Sequence, residues 1–226
     1  MSRYIRTFLS SAVFLFFTSS LAFSEADKWD NLLVESAKVF EEMTQMPEDG
    51  IPVSLLKDSY AVAIFPSTLS GGFIFGGQYG QGVVVVKGKD KKWGTPAVFT
   101  ITGVSWGMQI GGQATDIILL IMNERGLDGL LQSKFKLGGD ASVSAGPVGR
   151  DASAATDLTL KSGLLSYSRS RGAFIGLKLE GAVMAVSGDA NSELYGKDLT
   201  SRSILLDGAV KPTKSAARLL KDLQKF

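Results

Sequence analysis

The sequence contains neither cysteine nor histidine among its 226 residues. Without cysteine the chain can form no disulfide, offers no thiol nucleophile and has no thiol for a lipid anchor. Without histidine it also lacks the commonest metal ligand and the usual base of serine hydrolases. The acids that remain, among them Asp140, Asp151 and Glu180, do not pair at a spacing typical of catalysis. We therefore expect a protein without catalytic activity, metal or cofactor, with a hydrolase as the alternative.

The first 24 residues are organised like a secretory signal peptide. Arg3 and Arg6 precede the uncharged stretch FLSSAVFLFFTSSLAF, and small residues follow it. This order is typical of a leader that is cleaved, here before Glu25 or after Ala22. A retained transmembrane anchor is the alternative, although about 16 apolar residues are fewer than the ~20 that a spanning helix needs. We predict a signal peptide at 1–24 and a periplasmic or secreted protein.

Cleavage would leave a mature domain at 25–226 that carries no net charge. The whole chain has 24 lysines and arginines against 22 acidic residues, and removing the two arginines of the leader leaves 22 against 22. Because the overall charge then attracts no polyanion, any anionic partner must be recognised by a local basic patch. We expect no nucleic-acid partner.

The mature domain begins with a helical pattern and continues with strand patterns. Residues 27–46 repeat apolar side chains every three or four positions and carry acidic residues between them, until Pro47 and Gly50 end the pattern. The segment IPVSLLKDS at 51–59 favours a short helical turn. Short apolar runs separated by glycine follow, from YAVAIFP to DIILLIM, and their β-branched and aromatic residues predict antiparallel strands.

Several local features complete the predicted fold. Apolar residues change from odd to even positions along 99–110, which predicts a bulge or bend with a register shift at Gly103. IILLIM at 117–122 is short enough to favour a strand over a helix. Asn123 can cap a short helix, and 211–226 predicts a basic C-terminal helix. We predict one α+β domain, dominated by an antiparallel sheet that is closed or half-closed into a barrel, with helices at both ends.

The glycine-rich stretch SGGFIFGGQYGQGVVVVKG at 70–88 does not match either common type of nucleotide-binding loop. A phosphate loop needs glycine before its lysine and serine or threonine after it, but Lys87 follows valine and precedes Gly88. A dinucleotide loop must open a helix, and here Gly82 is followed by four valines typical of a strand. We expect no nucleotide partner, and we assign the glycines to turns and to curvature of the sheet.

Many short motifs between residues 51 and 196 occur in the same order as in one known family. The matching positions are Ile51-Pro52, Leu55-Leu56, Ala63-Ile64-Phe65-Pro66, Gly72-Phe73, Phe75-Gly76-Gly77, Tyr79-Gly80, Gly82, Trp93, Pro96-Ala97, Gly107, Gln109-Ile110-Gly111, Leu137-Gly138, Asp140-Ala141-Ser142, Gly146-Pro147-Val148-Gly149-Arg150, Tyr167-Ser168-Arg169-Ser170-Arg171-Gly172, Phe174 and Tyr195-Gly196. With these motifs the chain resembles the SYLF-domain family, found in bacterial exported proteins and in eukaryotic proteins that link phosphoinositide membranes to actin.

The resemblance implies binding of anionic phospholipids or phosphoinositides and no known catalysis. The chain departs from the family in two ways. Many bacterial members look like lipoproteins, whereas this chain has no cysteine to acylate. Eukaryotic members bind lipid partly through a basic amphipathic N-terminal segment, whereas the helix predicted at 27–46 is acidic.

The sequence VKGKDKKW is the first of three basic features that could contact an anionic headgroup. It holds Lys87, Lys89, Lys91 and Lys92 beside Trp93, with one aspartate. Each lysine near an anionic membrane contributes about 1 kcal/mol, and tryptophan favours the membrane interface. The alternative is an ordinary solvated turn.

The other two basic features lie in the second half of the chain. If SYSRSRG is extended, Tyr167, Arg169 and Arg171 face the same way, with the arginines ~7 Å apart, so that two guanidinium groups could hold one phosphate. The alternative is a solvated strand face or pairing with acidic neighbours. The predicted C-terminal helix could lie on a membrane or pack on the sheet through its leucines. Its cations are Lys211, Lys214, Arg218, Lys221 and Lys225.

From these features we expect non-catalytic binding of anionic phospholipids or phosphoinositides at a membrane surface in the bacterial envelope. The alternative is an envelope scaffold that binds proteins without lipid specificity, and an exposed apolar groove without nearby cations would favour it. The sequence leaves the headgroup, the contact residues and the oligomeric state open.

Overall fold

The structure is a computed structural model that describes residues 25–46, 50–72, 75–106, 111–148, 162–170, 172–174 and 179–226. Its helices are α1 Glu25–Thr44, α2 Val53–Asp58, α3 Glu124–Leu130, α4 Gly188–Tyr195, α5 Ser201–Leu205 and α6 Ala217–Leu223. Its strands are β1 Ala61–Gly72, β2 Phe75–Val86, β3 Ala97–Trp106, β4 Gly111–Ile121, β5 Lys134–Lys136, β6 Val143–Ala145, β7 Leu164–Ser170, β8 Ala173–Phe174 and β9 Val183–Val186. The predicted leader at 1–24 lies outside the described residues. Within the described ranges, no helix combines the length and apolar character that crossing a bilayer requires.

The described strands form one sheet, in the order β5-β9-β3-β2-β1-β4-β7-β6, with β8 paired to β7. Neighbouring strands are antiparallel except β6 and β7, which run parallel. Helices pack around this sheet at both ends of the chain. The α+β class and the mainly antiparallel sheet expected from the sequence are confirmed.

The connection between the two edge strands shows that the sheet curls. β5 and β6 lie at opposite edges of the strand order, yet six residues, 137–142, join them in sequence. Seven gaps of about 4.8 Å would make a flat sheet roughly 34 Å wide, whereas this connection could span at most about 25 Å even if fully extended. It is not extended, because the Gly138 amide donates to the Ala141 carbonyl at 2.8 Å. The edges must therefore approach each other, as in a half-closed barrel.

Residues 61–65 of β1, 83–86 of β2 and 117–121 of β4 are buried on both faces of the sheet, which explains their unbroken apolar runs. In β1, Val62 and Ile64 belong to a core that includes residues of α1, α2 and α6. Ala63 and Phe65 belong to a second core on the other face, together with Leu130 of α3. A strand covered on both sides has no solvent-facing positions that need polar residues. The same arrangement accounts for the four valines of β2 and for IILLIM in β4.

The bulge predicted at Gly103 is wrong. The pairing of β2 with β3 is continuous from Phe75↔Trp106 to Val84↔Ala97. The apparent change of parity arises because Val104 is apolar and yet points to solvent, with 71% of its surface exposed. The irregularity lies in β1 instead, where the pairing with β4 shifts between Phe65 and Thr68 and Ser67 has a φ of 48°.

The helices predicted from a clear apolar period are observed, whereas some short helices differ from the prediction or were not predicted. α1, α2 and the Asn123 cap are confirmed, with the Asn123 side chain accepting from the Gly126 amide at 2.9 Å. The C-terminal helix is shorter than predicted, since α6 covers only Ala217–Leu223. The polar helix α4 was not predicted. It is fixed by the buried Asn191, whose amide group exchanges hydrogen bonds with the Val98 backbone.

Candidate functional site: the lysine turn

The lysine turn, residues 87–93, begins where β2 ends and closes at one end of the sheet. An antiparallel backbone β-bridge between Lys87 and Trp93 forms its base. Above the base, the Gly88 amide donates to the Lys92 carbonyl at 2.8 Å and the Lys91 amide donates to the Gly88 carbonyl at 2.9 Å. The Asp90 carboxylate accepts from the Lys92 amide at 3.2 Å. These bonds give the turn a defined backbone conformation.

Lys87 anchors the turn to α2. Its Nζ donates to the carbonyl oxygens of Leu56 at 3.2 Å and Lys57 at 2.9 Å, which lie at the C-terminal end of that helix, where a cation is favoured. It also lies 4.6 Å from the centre of the Trp93 ring. Burial lowers the pKa of Lys87, partly opposed by the nearby Asp58 charge. Its ammonium group is thus already engaged inside the protein.

Trp93 does not present its ring to solvent. The side chain is 5% exposed and belongs to the core that includes α1 and α2. The exposed aromatic residue at this end is Tyr60, whose carbonyl accepts from the Lys87 amide at 2.8 Å. The sequence analysis did not single out Tyr60, and its position beside the turn follows only from the pairing of β1 with β2.

Three lysines of the turn point to solvent. Lys89, Lys91 and Lys92 are exposed, and the Lys92 Nζ lies 3.9 Å from the Asp90 carboxylate. This pair is highly exposed on both sides and is therefore weak. Lys57, exposed at the end of α2, adds a further cation beside the turn. Because it lies 30 residues before Lys87 in sequence, local spacing could not predict this position. The turn and the end of α2 hold five lysines and two aspartates, so together these residues carry a net positive charge.

Arg169 is paired inside the protein. It lies on β7, and its guanidinium donates to Glu42 of α1 at 2.6 Å and to Asp116 of β4 at 2.9 Å. Burial opposes its charge, but the hydrogen bonds and charges of the two acids outweigh burial and raise its pKa. Asp116 also accepts from the Ser67 amide at 2.9 Å. The network therefore joins α1 to three strands at the irregular point of β1.

Tyr167 lies on the same face as Arg169, as the extended spacing predicted, but it is buried. Its hydroxyl donates to the Pro147 carbonyl at 3.2 Å, and its ring meets Phe174 edge-on with centroids 6.3 Å apart. Burial raises its pKa above the ordinary value of 10.0. Arg171 lies outside the described residues. The face that carries Tyr167 and Arg169 is covered by α1, so neither side chain is displayed for a phosphate.

The C-terminal segment divides its residues between α1 and solvent. Leu219 and Leu223 are buried, and Phe226 meets Phe40 edge-on with centroids 6.0 Å apart. This is the alternative in which the helix packs through its leucines. Arg218 is paired with Glu41 and Lys225 with Asp222. The cations of this segment that remain exposed outside these pairs are Lys211, Lys214 and Lys221.

The apolar face of α1 is also occupied. Leu33, Phe40 and Met43 are fully buried in the core beneath the helix. Its exposed side includes Glu35 and Glu42. Lys28, Lys38 and Val34 are exposed on α1 as well, so its solvent side is mixed rather than basic. The lysine turn and the C-terminal segment therefore each display lysines to solvent, and those of the turn lie closer together in sequence.

Comparison with known proteins identifies relatives in fungi and animals. A family profile described as "Ysc84: Las17-binding protein actin regulator" matches residues 102–226. Protein YSC84 of Saccharomyces cerevisiae is 36% identical over 177 residues, which are 77% of this chain and 37% of the yeast protein. LAS seventeen-binding protein 3 of the same yeast is 32% identical over 177 residues, 77% of this chain and 38% of that protein.

A human protein also matches most of this chain, at lower identity. SH3 domain-containing YSC84-like protein 1 is 27% identical over 187 residues, which are 80% of this chain and 54% of the human protein. The matched region is thus only 37–54% of the length of these relatives. One of these relatives is named as a binding protein, and the family profile is described as that of an actin regulator. Because the profile covers more than half of the chain, the chain belongs to the SYLF-domain family, as its motifs between residues 51 and 196 predicted.

Proposed function

We propose that the protein is a non-catalytic module that binds anionic phospholipid or phosphoinositide membranes through the lysine turn. The observation that carries this proposal is the exposure of Lys89, Lys91 and Lys92 on one anchored turn. At about 1 kcal/mol for each lysine near an anionic surface, the three together contribute about 3 kcal/mol, or roughly 150-fold in affinity. This attraction weakens as salt shortens the Debye length.

The anchoring of the turn supports the same proposal. Lys87 and Trp93 fix its base against α2, so the exposed lysines extend from a backbone that is already ordered. Less conformational freedom is then lost on binding than for a flexible loop. Tyr60 beside the turn offers an amphipathic ring of the kind that favours membrane interfaces. With the predicted leader, we place this membrane surface in the bacterial envelope, facing the periplasm or the exterior.

Protein binding is the second candidate function, and the names of the relatives favour it. One relative is named for binding LAS seventeen, and the family profile is described as that of a Las17-binding protein. The match covers less than two thirds of each relative, so the named activity can belong to the part that this chain does not share. We therefore place this function second.

Vesicle co-sedimentation of the full chain tests the proposed function. The assay compares vesicles of phosphatidylcholine alone with vesicles that also contain phosphatidylglycerol, phosphatidylserine or a phosphoinositide. Each composition is measured at low and at high salt. We expect the anionic lipids to increase binding at low salt and high salt to abolish the increase. A preference for phosphoinositide at equal charge would identify headgroup recognition. No increase with any anionic lipid would refute the proposal.

A matched pair of variants locates the contact. The test variant is Lys89→Gln/Lys91→Asn/Lys92→Gln, with asparagine at 91 because the backbone there has a φ of 63°, which asparagine tolerates. The control is Lys211→Gln/Lys214→Gln/Lys221→Gln, which removes the same charge from exposed positions elsewhere. We expect the test variant to lose most of the anionic increase and the control to keep it. Equal losses would show that the turn is not the contact.

A further inference from the structure

The halves of β1, β2, β3 and β4 that lie away from the lysine turn contain no charged residue. No Asp, Glu, Lys or Arg occurs between Asp58 and Lys87, or between Lys92 and Asp116. These two segments supply the far halves of four adjacent strands, which we call the glycine arm: residues 67–72, 75–81, 102–106 and 111–115. Three large apolar or aromatic side chains of the arm are exposed: Leu69 by 62%, Tyr79 by 50% and Val104 by 71%. Exposed apolar patches of this kind mark interaction sites.

The exposed side chains share one face of the arm. Leu69 pairs with Tyr79 on one side and with Ala114 on the other. Tyr79 pairs with Thr102, which places Val104 two residues further along the same face. The opposite face carries polar side chains that are buried, namely Thr68, Ser70, Gln78 and Thr115. The arm thus turns its polar groups inward and its apolar groups outward.

Glycines form the floor of this outer face. Gly71 pairs with Gly77 and with Gly112, so three glycines lie side by side across the strands. A Cβ added at Gly77 or at Gly112 would meet nothing within 4 Å, so packing does not require glycine at either position. Together with Leu69, Tyr79 and Ala114 they line an open, mostly apolar groove of about 610 Å³.

Two other glycines of the same segment differ in this respect. A Cβ at Gly80 would lie 2.4 Å from the Thr68 hydroxyl, and one at Gly82 would lie 2.2 Å from the Ile64 carbonyl oxygen. These two glycines face inward and permit the close approach of β1 to β2. The outward glycines have no such structural reason, and their effect is to leave the outer face shallow, open and uncharged.

We propose that the outer face of the glycine arm docks into the hydrocarbon of a lipid bilayer, with Leu69, Tyr79 and Val104 as the inserted side chains. An uncharged apolar face suits hydrocarbon, because no ion must be desolvated. The arm's inner strands satisfy their backbone groups by pairing with each other, as hydrocarbon requires. Among the described residues, the pairing of β3 with β9 ends at Thr102 and that of β4 with β7 ends at Asp116, so the outer strands of the arm suit shallow insertion only.

This proposal goes beyond the proposed function and does not depend on it. The lysine turn recognises the charge of headgroups and loses affinity in salt. The glycine arm lies at the other end of the strands, recognises hydrocarbon and keeps its affinity in salt, because apolar burial is not an interaction between charges. Each can therefore fail in experiment without the other.

Site-specific labelling tests the proposal directly. Because the chain has no cysteine, Leu69→Cys and Val104→Cys in the full chain each create a unique site for an environment-sensitive fluorophore. Leu206→Cys is the matched control, an exposed leucine that directly follows α5 and lies outside the arm. The vesicles are phosphatidylcholine brominated in the acyl chains, in high salt. We expect a blue shift and quenching at 69 and 104 and neither at 206.

The outcomes separate the possible occupants of the groove. No quenching at 69 and 104, or equal quenching at all three positions, overturns the proposal. A shift at 104 that grows with protein concentration without vesicles would make the face an interface between copies of the chain, and also overturns it. If arm labels stay unquenched while anionic vesicles still bind in a salt-sensitive way, only the hydrocarbon proposal fails.

A charged side chain on the glycine floor gives an independent measurement. Gly77→Asp and Gly112→Asp add a carboxylate where the side chain has open space, so the fold should be kept. Gly188→Asp is the matched control, since it also has open space and starts α4, where an acid is favoured. We expect the two arm variants to lower partition into phosphatidylcholine vesicles about tenfold or more, with Gly188→Asp unchanged. Unchanged partition of folded arm variants would refute the proposal.

Discussion

Replacing Arg169 by methionine separates a structural role for this arginine from a role in phosphate binding. Methionine keeps the apolar stem and removes the guanidinium, which leaves Glu42 and Asp116 near each other without a cation. Arg169 is only 12% exposed in its side chain, and it donates to both acids at 2.6 and 2.9 Å. A buried hydrogen bond to a charged group contributes about 1.5–3 kcal/mol.

The expected loss of stability is smaller than the sum of two such bonds. The Glu42 side chain is 42% exposed, so solvent weakens its bond to Arg169, and water can solvate that carboxylate after the substitution. We expect Arg169→Met to lower the free energy of unfolding by about 2 kcal/mol, which is roughly a 30-fold change in the unfolding equilibrium. Glu42→Gln should cost less than 1 kcal/mol on the same grounds.

Urea denaturation at neutral pH measures both changes. With a urea dependence of about 2 kcal/mol per molar, the midpoint for Arg169→Met should fall by about 1 M. Binding to anionic vesicles by the folded variant should be unchanged, because the lysine turn is distant. An unchanged midpoint together with weakened vesicle binding would refute this reasoning and restore the predicted phosphate-binding role of Arg169.

The remaining predictions concern the glycines of β2 and the buried tyrosines. Gly82→Ala should destabilise the protein by about 3 kcal/mol, because its Cβ would meet the Ile64 carbonyl and the Phe65 ring at 2.2 and 2.4 Å. Gly77→Ala should be neutral or stabilising by up to about 1 kcal/mol, and similar urea midpoints for the two would contradict the packing. Stability should also fall as pH rises above 10.0, because burial raises the pKa of Tyr167 and Tyr195 above that value, so tyrosines ionise first in the unfolded chain. Tyr167→Phe should make this fall shallower in urea denaturation across alkaline pH, and an unaltered slope would show that Tyr167 does not contribute.

The sequence predicted the strands well because of how they are buried. β1, β2 and β4 lie between two cores, and this arrangement leaves an apolar signal that can be read from composition alone. In β3, the exposed apolar residue Val104 is the one that misled the register. An exposed valine looks the same in sequence as a buried one, so alternation assigned it to the wrong face.

The sequence could not predict which basic residues are displayed. The spacing of Tyr167 and Arg169 correctly predicted a shared face, but Glu42, which lies 127 residues away in sequence, is what covers Arg169. Lys87 is likewise held by carbonyls 30 and 31 residues away. Contacts between residues this far apart in sequence depend on how the helices pack on the sheet, and local sequence patterns do not encode that packing. Solvent exposure of Lys89, Lys91 and Lys92 agrees with the sequence because a tight turn at a strand end leaves them nothing to pack against.

The length of β2 has a mechanical consequence. This strand runs from Phe75 in the glycine arm to Val86 at the base of the lysine turn, and twelve residues at about 3.3 Å each make it roughly 40 Å long. Its central position in a paired sheet makes it stiff along that direction. The two proposed membrane contacts are therefore held apart by a stiff element about as long as one lipid bilayer is thick, so binding at one cannot bring the other close to the same headgroups.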